Sequence, residues 1–117
     1  MRKFLLITTS TLLLASCVAG PKPLYNWDKY EQVSYNYLKT KNDKTSKALL
    51  EDYKKMMAKP NGSRKVVPPG INADYGFMLI QAGKSEEGRT FLEKEVKLYP
   101  ESKIFIDRIL LMTAETK

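Results

Sequence analysis

Apolar side chains recur every three or four residues through most of the chain, and this spacing limits its fold more than any other feature. The first such stripe contains Trp27, Tyr30, Tyr37 and Leu38. A period of three and four residues places these side chains on one face of a helix, whereas a half-buried strand would alternate. No segment has the pattern of a paired strand. The sequence therefore predicts an all-α domain.

Breaks in the pattern divide the chain into about five helices. They are predicted over residues 27–40, 43–58, 71–82, 85–99 and 102–114. Side-chain oxygens are expected to cap the first, second and fourth helices, because such oxygens accept hydrogen bonds from free amides at a helix start. The predicted caps are Asn26, then Asp43 or Thr45, and then Ser85. Gly83 is expected to end the third helix.

The segment between the second and third helices is rich in turn residues. Pro60-Asn61-Gly62 is a strong turn signal, and the valines that precede Pro68 should be extended. These valines either pack the loop onto the core or receive a partner peptide. Because prolines fix the loop in advance and lower the ordering cost of association, the segment is a predicted partner-binding site. Its residues are Val66, Val67, Pro68, Pro69 and Gly70.

The first sixteen residues have the character of an export signal. Arg2 and Lys3 precede an apolar run of residues 4–14 that is too short to cross a bilayer. Leu14-Ala15-Ser16-Cys17 resembles the bacterial lipobox. The resemblance implies cleavage before Cys17, a diacylglyceryl group on its sulfur and a fatty acyl chain such as palmitate on its new amine. The alternative is an ordinary signal peptide with an incidental free cysteine.

The expected organisation is a signal peptide at 1–16, a lipidated cysteine and tether at 17–26, and a helical domain at 27–117. Two or more acyl chains make a stable anchor, so the membrane is an expected partner. Val18 stands where the lipoprotein sorting rule places aspartate for inner-membrane retention, which implies delivery to the outer membrane, facing the periplasm. Apart from the lipid on Cys17, no cofactor is expected.

Composition argues against several other functions. The chain has no histidine, which removes the commonest general base and metal ligand. Its net charge of +7 comes from scattered lysines and arginines that are typical of a solvated surface, so no nucleic acid partner is expected. Asp74 and Glu95 are the only carboxylates predicted on facing helices, and Glu95 is expected to bond Tyr75 or a helix-end amide. We therefore expect neither an enzyme nor a small-molecule substrate.

Residues 69–102 resemble one tetratricopeptide repeat, a helix pair with small residues where the helices cross. The matching positions are Gly76, Leu79, Gly83, Gly88, Leu92, Leu98 and Pro100, and the departures are Asn72 and Glu95. The resemblance implies a tetratricopeptide-like domain in which Gly76 faces Gly88. Residues 27–60 are a candidate for a decayed partner repeat.

The whole chain more closely resembles the lipoprotein family called domain of unknown function 4810. The resemblance is carried by the lipobox, Trp27 with Tyr30, residues 68–76, Glu95 and residues 99–102. It implies a small outer-membrane lipoprotein without a known activity. It also implies a gene that often lies beside one for a lipoprotein similar to the curli secretion channel.

Two functions remain open on the sequence. The first is a lipid-anchored accessory module that holds another envelope protein, in a groove between helices or at the 66–70 loop. The alternative is a cell-wall or glycan binder that uses Trp27, Tyr30, Tyr35 and Tyr37. A glycan binder should expose at least two of these rings on one flat surface, whereas an interaction module should bury them and expose an apolar groove.

Overall fold

The computed structural model describes residues 20–115, which form five α-helices and one 3₁₀ turn and contain no strand. The helices are α1 (Tyr30–Lys39), α2 (Asp43–Ala58), α3 (Ile71–Gln81), α4 (Ser85–Leu98) and α5 (Lys103–Glu115), and the 3₁₀ turn (Pro100–Ser102) joins α4 to α5. The predicted all-α fold is confirmed. The predicted signal peptide and the lipidation site Cys17 lie outside the described residues.

The starts of the first two helices differ from the predicted caps. Asn26 does not cap α1, because its side-chain oxygen accepts a hydrogen bond from the Asp28 amide (3.2 Å) in a separate turn. The helix consequently begins three residues later than predicted. At α2 the cap is Asn42, whose side-chain oxygen accepts from the Thr45 amide at 2.9 Å. The Thr45 hydroxyl accepts in return from the Asn42 amide at 3.2 Å. This reciprocal pair satisfies two amides that the helix itself leaves free.

The turn between α3 and α4 depends on Gly83. This glycine has a φ of 84°, a left-handed conformation that ends helices at low cost only for glycine. The Lys84 amide then donates to the Leu79 carbonyl at 2.9 Å. Lys84 completes the turn and occupies the N-cap position, so Ser85 is already helical and makes no capping bond. The predicted glycine stop is confirmed, and the predicted serine cap is wrong.

Helices α3 and α4 cross at Gly76 and Gly88, as expected from the repeat resemblance. A Cβ atom on Gly76 would lie 2.6 Å from the Gly88 carbonyl oxygen, and one on Gly88 would lie 2.5 Å from the Gly76 carbonyl oxygen. Both glycines are buried. Only residues without a side chain allow the two backbones to come this close.

Two groups of buried side chains form the core, and α3 contributes to both. The first group is Leu49, Tyr53, Met56, Ile71, Tyr75 and Leu79, from α2 and α3. The second is Ala73, Leu92 and Ile106, from α3, α4 and α5. Because α3 packs on both sides, Asn72 and Ala73 are buried in addition to its predicted stripe.

A row of aromatic rings connects the N-terminal segment with α4. In order it contains Tyr25, Trp27, Tyr30, Tyr53, Tyr75 and Phe91, with neighbouring centroids 4.6 to 6.4 Å apart. Such edge-to-face and tilted pairs stabilise beyond the area they bury. Helix α1 has no fully buried residue, so it is attached through partly buried side chains, Tyr30, Val33 and Tyr37, that pack against the first core group.

The N-terminal segment packs along the loop between α2 and α3. The Ser63 amide donates to the Pro23 carbonyl at 3.0 Å, and the Arg64 amide donates to the Leu24 carbonyl at 3.1 Å. Gly62 is essential to this approach, because a Cβ atom there would lie 2.6 Å from the Leu24 carbonyl oxygen. The last residues of the predicted tether are therefore held against the domain.

Helix α5 closes the far end of the fold with one face only. Ile106 is buried, whereas Ile104, Phe105 and Leu111 are largely exposed. α5 therefore covers the second core group and leaves an apolar outer face.

Candidate binding groove

A groove with a volume of about 310 Å³ opens between α1, α2 and α3. We call it the α1–α3 groove. Its lining residues are Tyr30, Ser34, Tyr37, Leu38, Lys41, Leu49, Tyr53, Asp74, Phe77, Met78 and Gln81. The walls are mainly aromatic and aliphatic with a few polar groups, which is the usual composition of a binding site.

Helical spacing explains which side chains reach the groove. In α1, Tyr30 and Tyr37 are separated by seven residues and therefore project from nearly the same side. In α3, Asp74, Met78 and Gln81 follow one another at spacings of four and three. The floor is made by buried residues of α2, whereas the rim is open, and Leu38 remains 71% exposed there.

Three polar groups meet in the groove. The Tyr53 hydroxyl interacts with the Asp74 carboxyl and with the Tyr30 hydroxyl, and it lowers the pKa of both groups. Burial, reinforced by the negative charge of Asp74, raises the pKa of Tyr53 far above its ordinary value of 10.0. The same two causes raise the pKa of Tyr30. Both phenols therefore remain protonated near neutral pH, where they donate hydrogen bonds and do not serve as bases.

Asp74 has no paired cation within the part of the chain that the structure describes. Burial raises the pKa of its carboxyl, and the Tyr53 hydroxyl offsets part of that rise. The side chain is nevertheless open to solvent, since it lines an open groove. Among residues 20–115, the only ion pair within 4 Å joins Lys103 and Asp107 on α5. The groove's own cation, Lys41, places its Nζ 5.7 Å from the centre of the Tyr37 ring.

Glu95, the other carboxylate considered from the sequence, has a structural role. It is 1% exposed, and its Oε1 accepts a hydrogen bond from the Gly70 amide at 2.7 Å. Burial raises the pKa of its carboxyl, while the amides of Gly70, Ala73 and Asn72 lower it. Glu95 therefore caps the amino end of α3, as expected for a glutamate that bonds a helix-end amide.

Asp52 plays the equivalent part in the first helix pair and was missed from the sequence. It is 3% exposed. Burial and the neighbouring Asp28 raise the pKa of its carboxyl, and the Lys29 backbone amide lowers it. Lys29 is the N-cap of α1, just as Gly70 is the N-cap of α3. The sequence did contain one indication that Asp52 is buried, which is its position between Leu49 and Tyr53 on the apolar stripe of α2.

This shared arrangement supports a common plan for the two helix pairs. In the second pair the Gly70 amide donates to Glu95 on α4, and in the first pair the Lys29 amide favours the charged form of Asp52 on α2. The carboxylate thus also opposes the positive end of the helix dipole. The interpretation of residues 27–60 as a decayed partner repeat stays a prediction.

The predicted partner-binding loop is largely committed to the fold. Val67 packs against the first core group, and its carbonyl accepts a hydrogen bond from the Tyr99 hydroxyl at 2.6 Å. Pro68 is buried, Val66 and Gly70 are half-buried, and Pro69 is exposed. A partner could therefore reach Pro69 and the edges of the loop, and its binding role stays a prediction.

The four aromatic residues considered for glycan binding are divided between separate surfaces. Tyr30 and Tyr37 line the α1–α3 groove, whereas Tyr35 lines a shallow hollow with Asp28 and other polar residues. Trp27 is 41% exposed and packs against Tyr30. Trp27 and Tyr35 are thus exposed, whereas Tyr30 and Tyr37 are half-buried, and the glycan-binding role stays a prediction.

Within residues 20–115, no three or more histidine, cysteine or acidic side chains are grouped so that they could hold a metal ion. None of the helices in this part of the chain has the length and apolar character to cross a membrane.

The fold and the groove together place this protein in the class of small all-α domains, with two helix pairs and a fifth helix that covers one end. Residues 24–109 match the model of a family described as domain of unknown function (DUF4810). The match covers most of the chain, from the docked N-terminal segment into α5, and the protein belongs to this family. No curated protein and no solved structure matches the chain.

Proposed function

We propose that this protein is a lipid-anchored module of the bacterial cell envelope that holds a segment of another envelope protein in the α1–α3 groove. The observation that carries the proposal is the groove itself, which is open to solvent and lined with aromatic and aliphatic side chains. Leu38 lies at its rim with most of its surface in water. A partner segment that covered this surface would gain the free energy of burying it.

The groove is also formed before any partner arrives. Tyr30 and Tyr53 belong to the aromatic row, with their ring centroids 6.0 Å apart, so the walls are fixed by packing. A preformed site loses less conformational entropy when it binds. This favours recognition of a partner segment over a role for the groove as a simple packing defect.

Lipidation of Cys17 would hold the groove near the outer membrane. Pro23 is bonded to the domain, so only the five residues 18–22 separate the anchor from the folded part, a span of at most about 22 Å. The lipoprotein similar to the curli secretion channel, implied by the family resemblance, is the first partner to test.

Site-specific crosslinking tests the groove. A photoreactive amino acid at Leu38 or Gln81, both exposed in the groove, should give a crosslinked adduct in intact cells. The same group at Glu93, exposed on α4, is the matched control. Adducts from Glu93 but not from the groove positions would contradict the proposal.

The anchor has a separate test. Cys17→Ser should abolish incorporation of a radiolabelled fatty acid and release the protein from the membrane fraction, because no other thiol is present in the chain. Undiminished label on the variant would show that Cys17 is not the lipidated residue.

A further inference from the structure

We infer that the α1–α3 groove selects a basic side chain, arginine or lysine, on the segment it holds, and that Asp74 is the residue that recognises it. This inference rests on the proposed function, because it names the chemistry of the segment that the groove takes.

The first argument is the unpaired carboxylate. Asp74 is the only acidic residue among the lining residues of the groove, and no cation of residues 20–115 pairs with it. It is exposed at the groove that Tyr53 and Phe77 also line, so an arriving cation can reach it. A guanidinium or ammonium group would supply the missing partner through charge-assisted hydrogen bonds.

The second argument is the set of aromatic faces around that carboxylate. Tyr30, Tyr37 and Tyr53 line the same groove, and the face of an aromatic ring attracts a cation. The protein already uses this interaction at the groove, where Lys41 Nζ lies 5.7 Å from the centre of the Tyr37 ring. A carboxylate that shares its groove with three tyrosine rings is suited to a cation whose aliphatic stem lies along apolar walls.

The third argument is that the preference for a basic side chain arises from contacts inside the groove and not from the net charge of the protein. The chain as a whole has a net charge of +7, which would repel a basic peptide at long range. A preference for a basic segment must therefore come from contacts inside the groove. An acidic segment would place its charge against Asp74, and the groove should reject it.

Three capped peptides provide the test. Each is acetyl-Leu-Ala-X-Ala-Leu-amide, with arginine, glutamine or glutamate at X. The ¹⁵N-labelled full chain in detergent micelles is titrated with each peptide and followed by two-dimensional NMR. The arginine peptide should shift the amide resonances of Asp74, Tyr53 and Tyr37 and should bind about tenfold more tightly than the glutamine peptide, as charge-assisted hydrogen bonds allow.

Variants then assign the preference to one residue. Asp74→Asn should bind the arginine and glutamine peptides equally, whereas Asp74→Glu, which keeps the charge, should retain a preference. Asp107→Asn is the matched control, because it removes the exposed aspartate paired with Lys103 on α5 and should leave the preference unchanged. A circular dichroism melt of each variant verifies that it is folded.

Several outcomes would overturn the inference. They are equal affinities for the arginine and glutamine peptides in the wild-type chain, a preference that survives Asp74→Asn, and no shift at the groove with any peptide at millimolar concentration. If crosslinks from Leu38 persist in such a case, the proposed function stands and only the basic selectivity fails. If those crosslinks are absent, the proposed function fails as well.

Discussion

At the scale of single residues, α3 and α4 can pack closely because Gly76 and Gly88 carry a hydrogen atom where any other residue carries a Cβ atom. The Cβ positions of Gly76 and Gly88 are already occupied by the opposing carbonyl oxygens. These oxygens belong to the backbone and cannot move aside as a flexible side chain would. The crossing therefore depends on glycine at both sites.

Gly76→Ala should lower the free energy of unfolding by about 1–3 kcal/mol, the range for overpacking in a core. The gain in helix propensity, roughly 1 kcal/mol, offsets part of a larger steric cost. Urea unfolding followed by circular dichroism measures the change. Gly20→Ala is the control, since no atom lies within 4 Å of its Cβ position. An unchanged unfolding curve for Gly76→Ala would mean that the helices do not cross there.

The buried acid Asp52 gives a second prediction at this scale. Its Oδ2 has no hydrogen-bond partner, and its raised pKa arises from burial and from Asp28. Because its carboxyl pKa is raised in the folded state, the contribution of Asp52 to stability is most favourable below the ordinary pKa of 3.8 and is lost as pH rises through the folded pKa. At neutral pH the charged side chain therefore destabilises the fold.

Asp52→Asn should raise the melting temperature at pH 7.5, because the amide keeps an acceptor for the Lys29 amide and donates toward Asp28. The advantage should shrink as pH falls toward 3.8, where the wild-type carboxyl is protonated. Melts at pH 7.5, 5.5 and 4 measure the difference, with the exposed Asp107→Asn as control. A variant less stable than wild type at pH 7.5 would contradict this sign.

At the scale of elements, the loop between α2 and α3 is held by hydrogen bonds to two other parts of the chain. Tyr99 holds its end through the Val67 carbonyl, and the N-terminal segment is bonded to its middle through Ser63 and Arg64. The extended conformation expected before Pro68 is therefore also stabilised by contacts distant in sequence. This arrangement brings residues 23 and 99 to the same loop.

Tyr99→Phe should destabilise the domain by about 1–2 kcal/mol, because it removes one buried hydrogen bond and leaves the Val67 carbonyl without that donor. Urea unfolding measures the loss. Tyr35→Phe is the matched control, since Tyr35 is 59% exposed and should tolerate the change. If the two variants behave alike, the Tyr99 hydroxyl does not hold the loop.

At the scale of the whole molecule, the domain is two like helix pairs closed by a fifth helix. Each pair places an acid at the amino end of its first helix, and the pairs meet through α2 and α3 in the first core group. Helix α5 covers the far side through Ile106. The α1–α3 groove lies where the first pair meets the second.

The closing role of α5 can be measured with two truncations on one helix. Ile106→Ala should cost about 2–5 kcal/mol of unfolding free energy, as expected for a fully buried isoleucine. Phe105→Ala should change it by less than about 0.5 kcal/mol, because that side chain lies on the exposed face. Equal losses for the two variants would mean that α5 packs by a different face.

The sequence by itself determined the helices, the turn at Gly83 and the meeting of Gly76 with Gly88. These features follow from local periodicity and from glycine's conformational freedom, which act over a few residues. The caps were less predictable, because the side chains of Asn26, Asn42 and Ser85 can each form competing local hydrogen bonds of similar strength. Which bond forms depends on the turn that the rest of the chain imposes.

Only the tertiary structure decided the groove. Tyr30, Tyr37 and Asp74 could each be singled out from the sequence, but nothing there placed them in one groove or gave Tyr53 its position between Tyr30 and Asp74. The same holds for Asp52 and Glu95, whose partners are amides about 25 residues away. Periodicity sets which face of a helix is apolar, whereas the packing of whole helices sets which faces meet.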